Sequence, residues 1–570
     1  MASEYDFIIV GSGPAGSAIA YRLGQSPKKP KVLLLEAGGP NDDRNLRVDG
    51  QRWLTFMNKD LNWGYQTVPQ KDAADRPLDY SRGKGLGGSS AINFGVFTIG
   101  AEGDYEEWAR VVGDEAFSWK QMQSRMKKLE TFHRELPAGI NASKYAAPRA
   151  EDHGSSGPLH VGYANEWESN LLPVIDVFEQ AGYPLNLDHN SGNPIGMSVL
   201  VSSAHNGVRS TARDLLLQLP DNVVVKTNST VRRLILDGTK VIGVETSTGA
   251  RHLACKEVIL SAGSLDNPRI LMHSGIGPAD QLTKHSIPIV LPAPAIGQNL
   301  RDHAFTPLVY KRTPASGSGR AQFYGTKNQP VMDAALEQWK RDGTGPWAKY
   351  ACELAMGYFK LPGLVASPEF RALPAAEQAY LNRPTVPHYE IITHFPIHWF
   401  LPGFKDEDLD YAAFLVFLYN AQARGSVTLQ SGDPEVPLRY DPAFLSTEFD
   451  RRMAVEALRD VLRFTQVPAW AKDTVGVIAA PPADATDEEL LGYWAQTISS
   501  SWHMTGTVKM GAEGDGEAAV DVDFRLRGVE GVRVADMSVV PVLASGHTQA
   551  VAYVTGWTCA DKIIKEYGLE

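Results

Sequence analysis

The chain is poor in cysteine. Its 570 residues include three, Cys255, Cys352 and Cys559, with no CxxC pair and no metal-ligand spacing. At most one disulfide can form, so the fold does not rest on a disulfide framework, and neither thiol nor metal chemistry is expected. Basic charge is also scarce. Lys and Arg number 55 against 66 Asp and Glu, for a net charge of −11, which argues against a nucleic-acid partner and against an anionic membrane surface. Long apolar runs are missing too. The run "YAAFLVFLY" (411–419) falls well short of the ~20 residues a membrane helix needs and reads as a buried strand. The start, "MASEYDFIIV", enters a strand almost at once and lacks the basic and apolar regions of a secretory signal. An intracellular protein is expected, unless a leader has been removed. The remaining totals, 43% hydrophobic and 21% charged, are those of a globular protein long enough for two large domains or several smaller ones.

What is present begins with a dinucleotide motif. Residues 5–10, "YDFIIV", form a short continuous apolar run of the kind found in a parallel strand buried on both faces. "GSGPAG" follows, with Gly11, Gly13 and Gly16 in GxGxxG spacing around Pro14 and Ala15, and then a helical pattern and a second strand, "KVLLLE", ending on Glu36. Each glycine has a mechanical reason: Gly11 for the tight turn, Gly13 for close approach of a pyrophosphate, Gly16 for packing helix on strand. The helix N-terminus presents free N–H groups to an anion. Glu36, 20 residues past Gly16, is placed to accept hydrogen bonds from a ribose. A fold that starts at residue 5 of a chain this long tilts the dinucleotide towards FAD rather than NAD.

A second glycine-rich loop, "RGKGLGGSSAIN" (82–93), is one whose backbone must come close to something flat or anionic. With the following "FGVFTIGAEGDYEEWA" it closely resembles the first signature of the glucose–methanol–choline (GMC) oxidoreductases. "GSLDNPRILMHSGIGP" (263–278) resembles the second, departing at Asn267, where the family usually has Ser or Thr. "IGQNLRDH" (296–303) and "VRVADMSVVP" (532–541) resemble two further family stretches. The resemblance spans the whole chain. It implies a Rossmann-like α/β FAD domain interleaved with an α+β substrate domain built on a large antiparallel sheet. The FAD domain is expected from 1–155, 200–305 and 500–570, and the substrate domain from 156–199 and 306–499. It also implies FAD contacts from Arg82, Gly83, Gly87, Gly88, Ser89, Asn93, Phe94, Gly95, Val96, Thr548 and Gln549, an adenine-end backbone contact from Val231, and ribityl and pyrophosphate contacts through Asp536. Some family members attach FAD covalently through a histidine in the first loop. Here that position is Ile92, so non-covalent FAD is expected.

The stretch "SSSWHMTGT" (499–507) holds His503 among small hydroxyl residues, with no adjacent carboxylate. By itself such a histidine is most often a packing residue. In the family, a histidine in this context sits beside the flavin ring, and a His or Asn follows some forty positions later. Here His547 follows 44 positions on, in "ASGHTQA". The resemblance therefore implies that His503 is the base that takes the hydroxyl proton as flavin N5 takes the hydride, and that His547 hydrogen-bonds the alkoxide. Two close histidines cannot both be cationic cheaply, and the sequence does not say which is neutral. Trp502, Phe395, Trp399 and Phe400 are candidate pocket walls, with core packing the alternative for each. As walls they suit an aryl or furan primary alcohol better than a polyol. The electron acceptor is O2, giving H2O2, or a quinone-type molecule; a non-redox lyase or cyclase on the same fold is the remaining alternative. Residues 222–247 read as strands of a small sheet near the adenine end, 388–431 as successive strands of the large sheet, and the Gly-, Pro- and Ser-rich stretch 312–347 as a long surface excursion.

Overall fold

The computed structural model describes residues 4–317, 319, 323–324, 328–349, 354–397 and 410–570. Two seven-stranded sheets organise them. In the first, the strand Glu4–Val10 has Phe7, Ile8, Ile9 and Val10 buried. A strand covered on both faces has no use for alternation, hence the continuous apolar run. It pairs in parallel with Val32–Leu35, which pairs in parallel with Val223–Lys226. On its other side lies the ten-residue strand Arg251–Leu260. The second half of that strand also takes Val532–Val534 in parallel, and its first half pairs antiparallel with Lys240–Thr246, which turns back onto Val231–Asp237. The strands over 222–247 are therefore not a separate small sheet. Val223–Lys226 is a parallel edge strand, and the other two form a flap continuous with the main sheet.

The first helix, Pro14–Gly24, starts with proline at its first position, where no intrahelical N–H is needed. A Cβ at Gly16 would lie 2.0 Å from the Gly11 carbonyl oxygen, so only glycine lets this helix close onto the turn. The helix then packs against the C-terminal helix Gln549–Glu566.

The second sheet runs Thr474–Ala479, Ala304–Arg312, Tyr411–Leu418, Tyr389–Thr393, Ala355–Phe359, Gly196–Val199, every neighbouring pair antiparallel. Ser499–Ser500 joins the start of Ala304–Arg312. The central strand Tyr411–Leu418 is buried throughout, as its apolar run predicts. Register puts Phe305 opposite Phe417, Glu390 opposite Phe417, and Ile392 opposite Leu415. Since side chains on a strand alternate faces, these five share one face. The other face carries Phe414, which packs on Phe178, Phe464 and Trp470.

Two expectations fail here. Ser426–Thr428, inside "GSVTLQS", pairs with Arg439–Asp441 in a separate two-stranded ribbon. A three-residue strand followed by the "SGDP" turn folds back on its own continuation and never reaches the large sheet. The 312–347 stretch is not a bare surface excursion: it carries the helix Gln329–Asp342 and the start of the short helix Pro346–Lys349. Met332, Ala335 and Trp339 face inward at helical spacing, and Trp347 is buried beside them. The indole N–H groups of Trp339 and Trp347 donate to the Gly207 and Met332 carbonyls at 3.0 and 2.8 Å. The helical period there was hidden by the loop-like residues around it.

Candidate active site

One continuous cleft is lined by residues of both sheets and of the loops around them. Its lining brings together Glu36, Ala37, Ser229, Thr230 and Val231; Gly11, Gly13, Pro14 and Ala15; Arg82, Gly83, Gly88 and Ser89; Asn93, Phe94, Gly95 and Val96; and Trp502, His503, His547, Thr548 and Gln549. Asp536 and Ile92 also border it. Gly16 and Gly87 do not. Gly16 acts through packing, as above, and Gly87 holds the second loop to the first, its N–H donating to the Ser12 carbonyl at 3.1 Å. Phe395 is a wall residue, whereas Trp399 and Phe400 lie outside the described residues, as does Cys352.

FAD fits this cleft on three observations. No atom lies within 4 Å of where a Cβ on Gly13 would be, so its backbone faces open space. A Cβ at Gly88 would come within 2.7 Å of Gly13 Cα, so the two glycine loops touch and enclose one trough. The Gln549 side-chain N–H2 is buried without a protein partner, while its Oε1 accepts from Asn93 Nδ2. Gln549 opens an 18-residue helix whose N-terminal end, with Thr548 at the N-cap position but no side-chain cap, borders the cleft. That end favours negative charge on whatever lies against it.

Glu36 does more than wait for a ribose. Its two oxygens accept from Ser12 N (2.9 Å), Ser12 Oγ (2.7 Å), Gly38 N (2.9 Å) and Gly85 N (3.0 Å). It ties both glycine loops to the end of the second strand. Asp536 does the same work at the other motif, accepting from Gly263 N at 2.6 Å, Asn267 Nδ2 at 2.8 Å and Ser538 N at 2.8 Å. Asn267 explains its own presence where Ser or Thr is usual: its amide reaches Asp536 and Ser538 while its Oδ1 accepts from Ala262 N at 2.9 Å.

The two histidines meet in the cleft, ring centroids 4.9 Å apart and rings nearly perpendicular. His503 is 7% exposed. Burial first, then His547, His303 and Arg82, hold it well below the ordinary histidine range, so His503 is neutral near pH 7. Its backbone N–H donates to Asp302 Oδ1 at 2.7 Å, and Ser500 Oγ donates to Asp302 Oδ2 at 2.5 Å. Burial pushes Asp302 up to about 6, against the opposing hydrogen bonds and Arg82. His547 sits against Glu390, Nε2 to Oε2 3.2 Å, and the Glu390 side chain is fully buried. Tyr419 O–H donates to the same carboxylate at 2.5 Å. Trp502, just before His503, has φ +60°, a backbone region a bulky residue enters only when held there. Its carbonyl accepts from Arg82 Nη2 at 2.7 Å and its indole N–H donates to Asp79 at 2.7 Å.

Around the histidines the walls are aromatic. Trp53 lies 4.3 Å from Phe94 and 5.1 Å from Phe395 between ring centroids, and Phe56 lies 4.9 Å from Trp502. Phe417 stacks edge-on to His547 at 5.6 Å. Sequence reasoning misses Trp53, Phe56, Phe305, Phe417, Glu390, Asp302 and His303. Glu390 alone left a signal, as a single acid within the buried strand Tyr389–Thr393; Asp302 and His303 sit in a noted motif whose purpose only the fold shows.

Residues 5–305 match the N-terminal part and residues 421–556 the C-terminal part of the GMC oxidoreductase family. The chain belongs to the GMC oxidoreductase family. It is an FAD-dependent oxidoreductase acting on CH–OH donors. Pyranose dehydrogenase 3 of Leucoagaricus meleagris is 32% identical over 584 aligned positions, covering 99% of this chain and 93% of that protein. An oxygen-dependent choline dehydrogenase of Escherichia coli is 31% identical over 577 positions, covering 98% and 95%. The formate oxidase of Aspergillus oryzae RIB40 superposes with a TM-score of 0.87 at 25% identity, covering 100% of this chain and 99% of that one. A fungal aryl-alcohol oxidase shares the fold, TM-score 0.86 at 24% identity, with full coverage of both chains. Among the described residues no group of three or more His, Cys, Asp or Glu is arranged to hold a metal ion, and no helix is long and apolar enough to cross a membrane.

Proposed function

We propose that the protein oxidises a primary alcohol, an aryl or furan alcohol by preference, to its aldehyde, with O2 as acceptor and H2O2 as product. FAD, when bound, supplies the hydride acceptor; the protein supplies base, orientation and field. The observation that carries this reading is a neutral, buried histidine facing a second histidine in an aromatic-walled cavity. His503 takes the hydroxyl proton. His547, backed by Glu390, hydrogen-bonds the alcohol oxygen and holds it. Trp53, Phe56, Phe94, Phe395 and Trp502 exclude water and stack the substrate ring. An aromatic box also suits a quaternary ammonium alcohol, which is the reading favoured by the choline dehydrogenase likeness. Anaerobic flavin reduction by benzyl alcohol, hydroxymethylfurfural, choline and glucose, followed by peroxide measurement under air, ranks these substrates and separates oxidase from dehydrogenase. Peroxide below one equivalent per aldehyde, with a quinone restoring turnover, favours the dehydrogenase.

FAD is non-covalent in this reading, because Ile92 stands at the attachment position and isoleucine offers no nucleophile. Acid precipitation is expected to leave all the flavin in the supernatant; yellow colour in the pellet contradicts it. Trp502→Ala is expected to reorder the alcohol preference while FAD content stays near wild type. Unfolding with an unchanged order would make Trp502 a core residue and take away support for the aryl-alcohol preference.

A further inference from the structure

His303 ends the "IGQNLRDH" stretch, is fully buried, and does not itself line the cleft. Its Nδ1 lies 3.0 Å from His503 Nδ1. Ser501 Oγ lies 3.1 Å from the same His503 atom. With Nδ1 engaged on both sides, Nε2 is the His503 nitrogen left to the cavity. A neutral imidazole carries one proton, on one nitrogen. A base in the cavity therefore needs that proton on Nδ1.

Ser501 decides which arrangement holds. Its hydroxyl donates to the His303 carbonyl at 2.8 Å, and a hydroxyl has a single proton to give. Towards His503 Nδ1 it can then only accept. A proton on His503 Nδ1 is shared between two acceptors, Ser501 Oγ and His303 Nδ1, and three-centre sharing of one N–H is ordinary. The opposite arrangement, His303 donating, sets the His503 Nδ1 lone pair against the Ser501 lone pairs, or asks one lone pair to take two hydrogens. The preferred arrangement places the His303 proton on Nε2, which has no acceptor among the described residues. A buried N–H left without an acceptor is unfavourable unless offset. The Tyr419 ring, 4.3 Å away and nearly perpendicular, offers a weak π contact.

We propose that His303, with Ser501, is a positioning residue that holds His503 in its Nδ1–H tautomer, leaving the Nε2 lone pair free in the cavity. The proposal rests on the reading of His503 as base. It gives the buried histidine of the "NLRDH" turn the orienting task that a carboxylate performs in hydrolase triads, without placing a negative charge that would hold a proton on His503 between turnovers. It also gives that turn two outputs: Asp302 fixes the backbone N–H of His503, and His303 fixes its ring.

The test has two arms. In 15N NMR of histidine-labelled holoenzyme, with the His503 signals assigned by their loss in His503→Gln, wild type is expected to show a protonated Nδ1 and a bare Nε2. In anaerobic stopped-flow reduction, His303→Phe keeps the ring but removes the acceptor. It is expected to slow flavin reduction at saturating alcohol by about 10- to 100-fold, the usual cost of losing an orienting partner. Substrate affinity and FAD content should stay close to wild type, and the acid limb of the rate–pH profile should move. His303→Asn, whose side-chain oxygen reaches the Nδ1 position, is expected to recover most of the rate. Nε2–H at His503 in the wild-type spectrum overturns the proposal without reference to any variant. So does a wild-type rate and profile in His303→Phe. Undiminished reduction by His503→Ala would instead strike the base reading itself, which the wild-type spectrum does not address.

Discussion

His503→Ala is expected to retain FAD and to reduce it about 10²- to 10⁴-fold more slowly with a good alcohol, the range general-base assistance usually covers. The substitution leaves the glycine loops, Glu36 and Asp536 untouched, so colour and flavin content should survive. A neutral imidazole held low by burial, His547, His303 and Arg82 is ready to accept a proton at neutral pH but a weaker base than a free histidine. The rate should therefore fall only at pH low enough to protonate a histidine shifted below its ordinary range. His547→Ala is also expected to be slow, and His547→Asn less so, because asparagine keeps a hydrogen-bonding group near the alcohol oxygen. The losses of the double variant should not add, since both residues act on one oxygen. Near-normal reduction by His503→Ala would return "SSSWHMTGT" to a packing role.

Glu36→Ala is expected to yield largely colourless protein, with FAD affinity down by at least about 10-fold, the equivalent of one charge-assisted hydrogen bond of roughly 1.5–3 kcal/mol. The loss should exceed that of a ribose contact alone. Ser12 N, Gly38 N and Gly85 N would each lose their acceptor, and these three hold the two glycine loops in register. Titrating apo protein with FAD measures the affinity. The melting temperature of the apo protein reports separately on the loops. Unchanged FAD affinity would remove Glu36 from the cofactor site.

How far the sequence carries depends on whether a constraint is local. The turn around Gly11 to Gly16 and the acid at Glu36 belong to one strand–helix–strand unit, so spacing alone predicts them. The catalytic end is different. Phe305, Phe417, Ile392 and Leu415 face one another only through strand register, and nothing in "YAAFLVFLY" says which of its side chains meet a cavity. Trp53 and Phe56 come from the helix Arg52–Met57, far in sequence from the residues they stack on. The Glu390–His547 pair spans 157 positions and the His303–His503 pair 200. The helix Gln329–Asp342 was obscured for another reason: its inward face of Met332, Ala335 and Trp339 is narrow and flanked by glycine and proline.

The central claim is that the two-histidine cavity moves a proton off an alcohol whose hydride FAD, when bound, would accept. Anaerobic titration of the holoenzyme with an aryl alcohol, following the visible flavin absorbance and the aldehyde together, tests it most directly. The expected result is bleaching of the flavin with one aldehyde formed per flavin reduced. A flavin that dithionite bleaches but no primary alcohol does would contradict it and leave a non-redox role for the bound FAD.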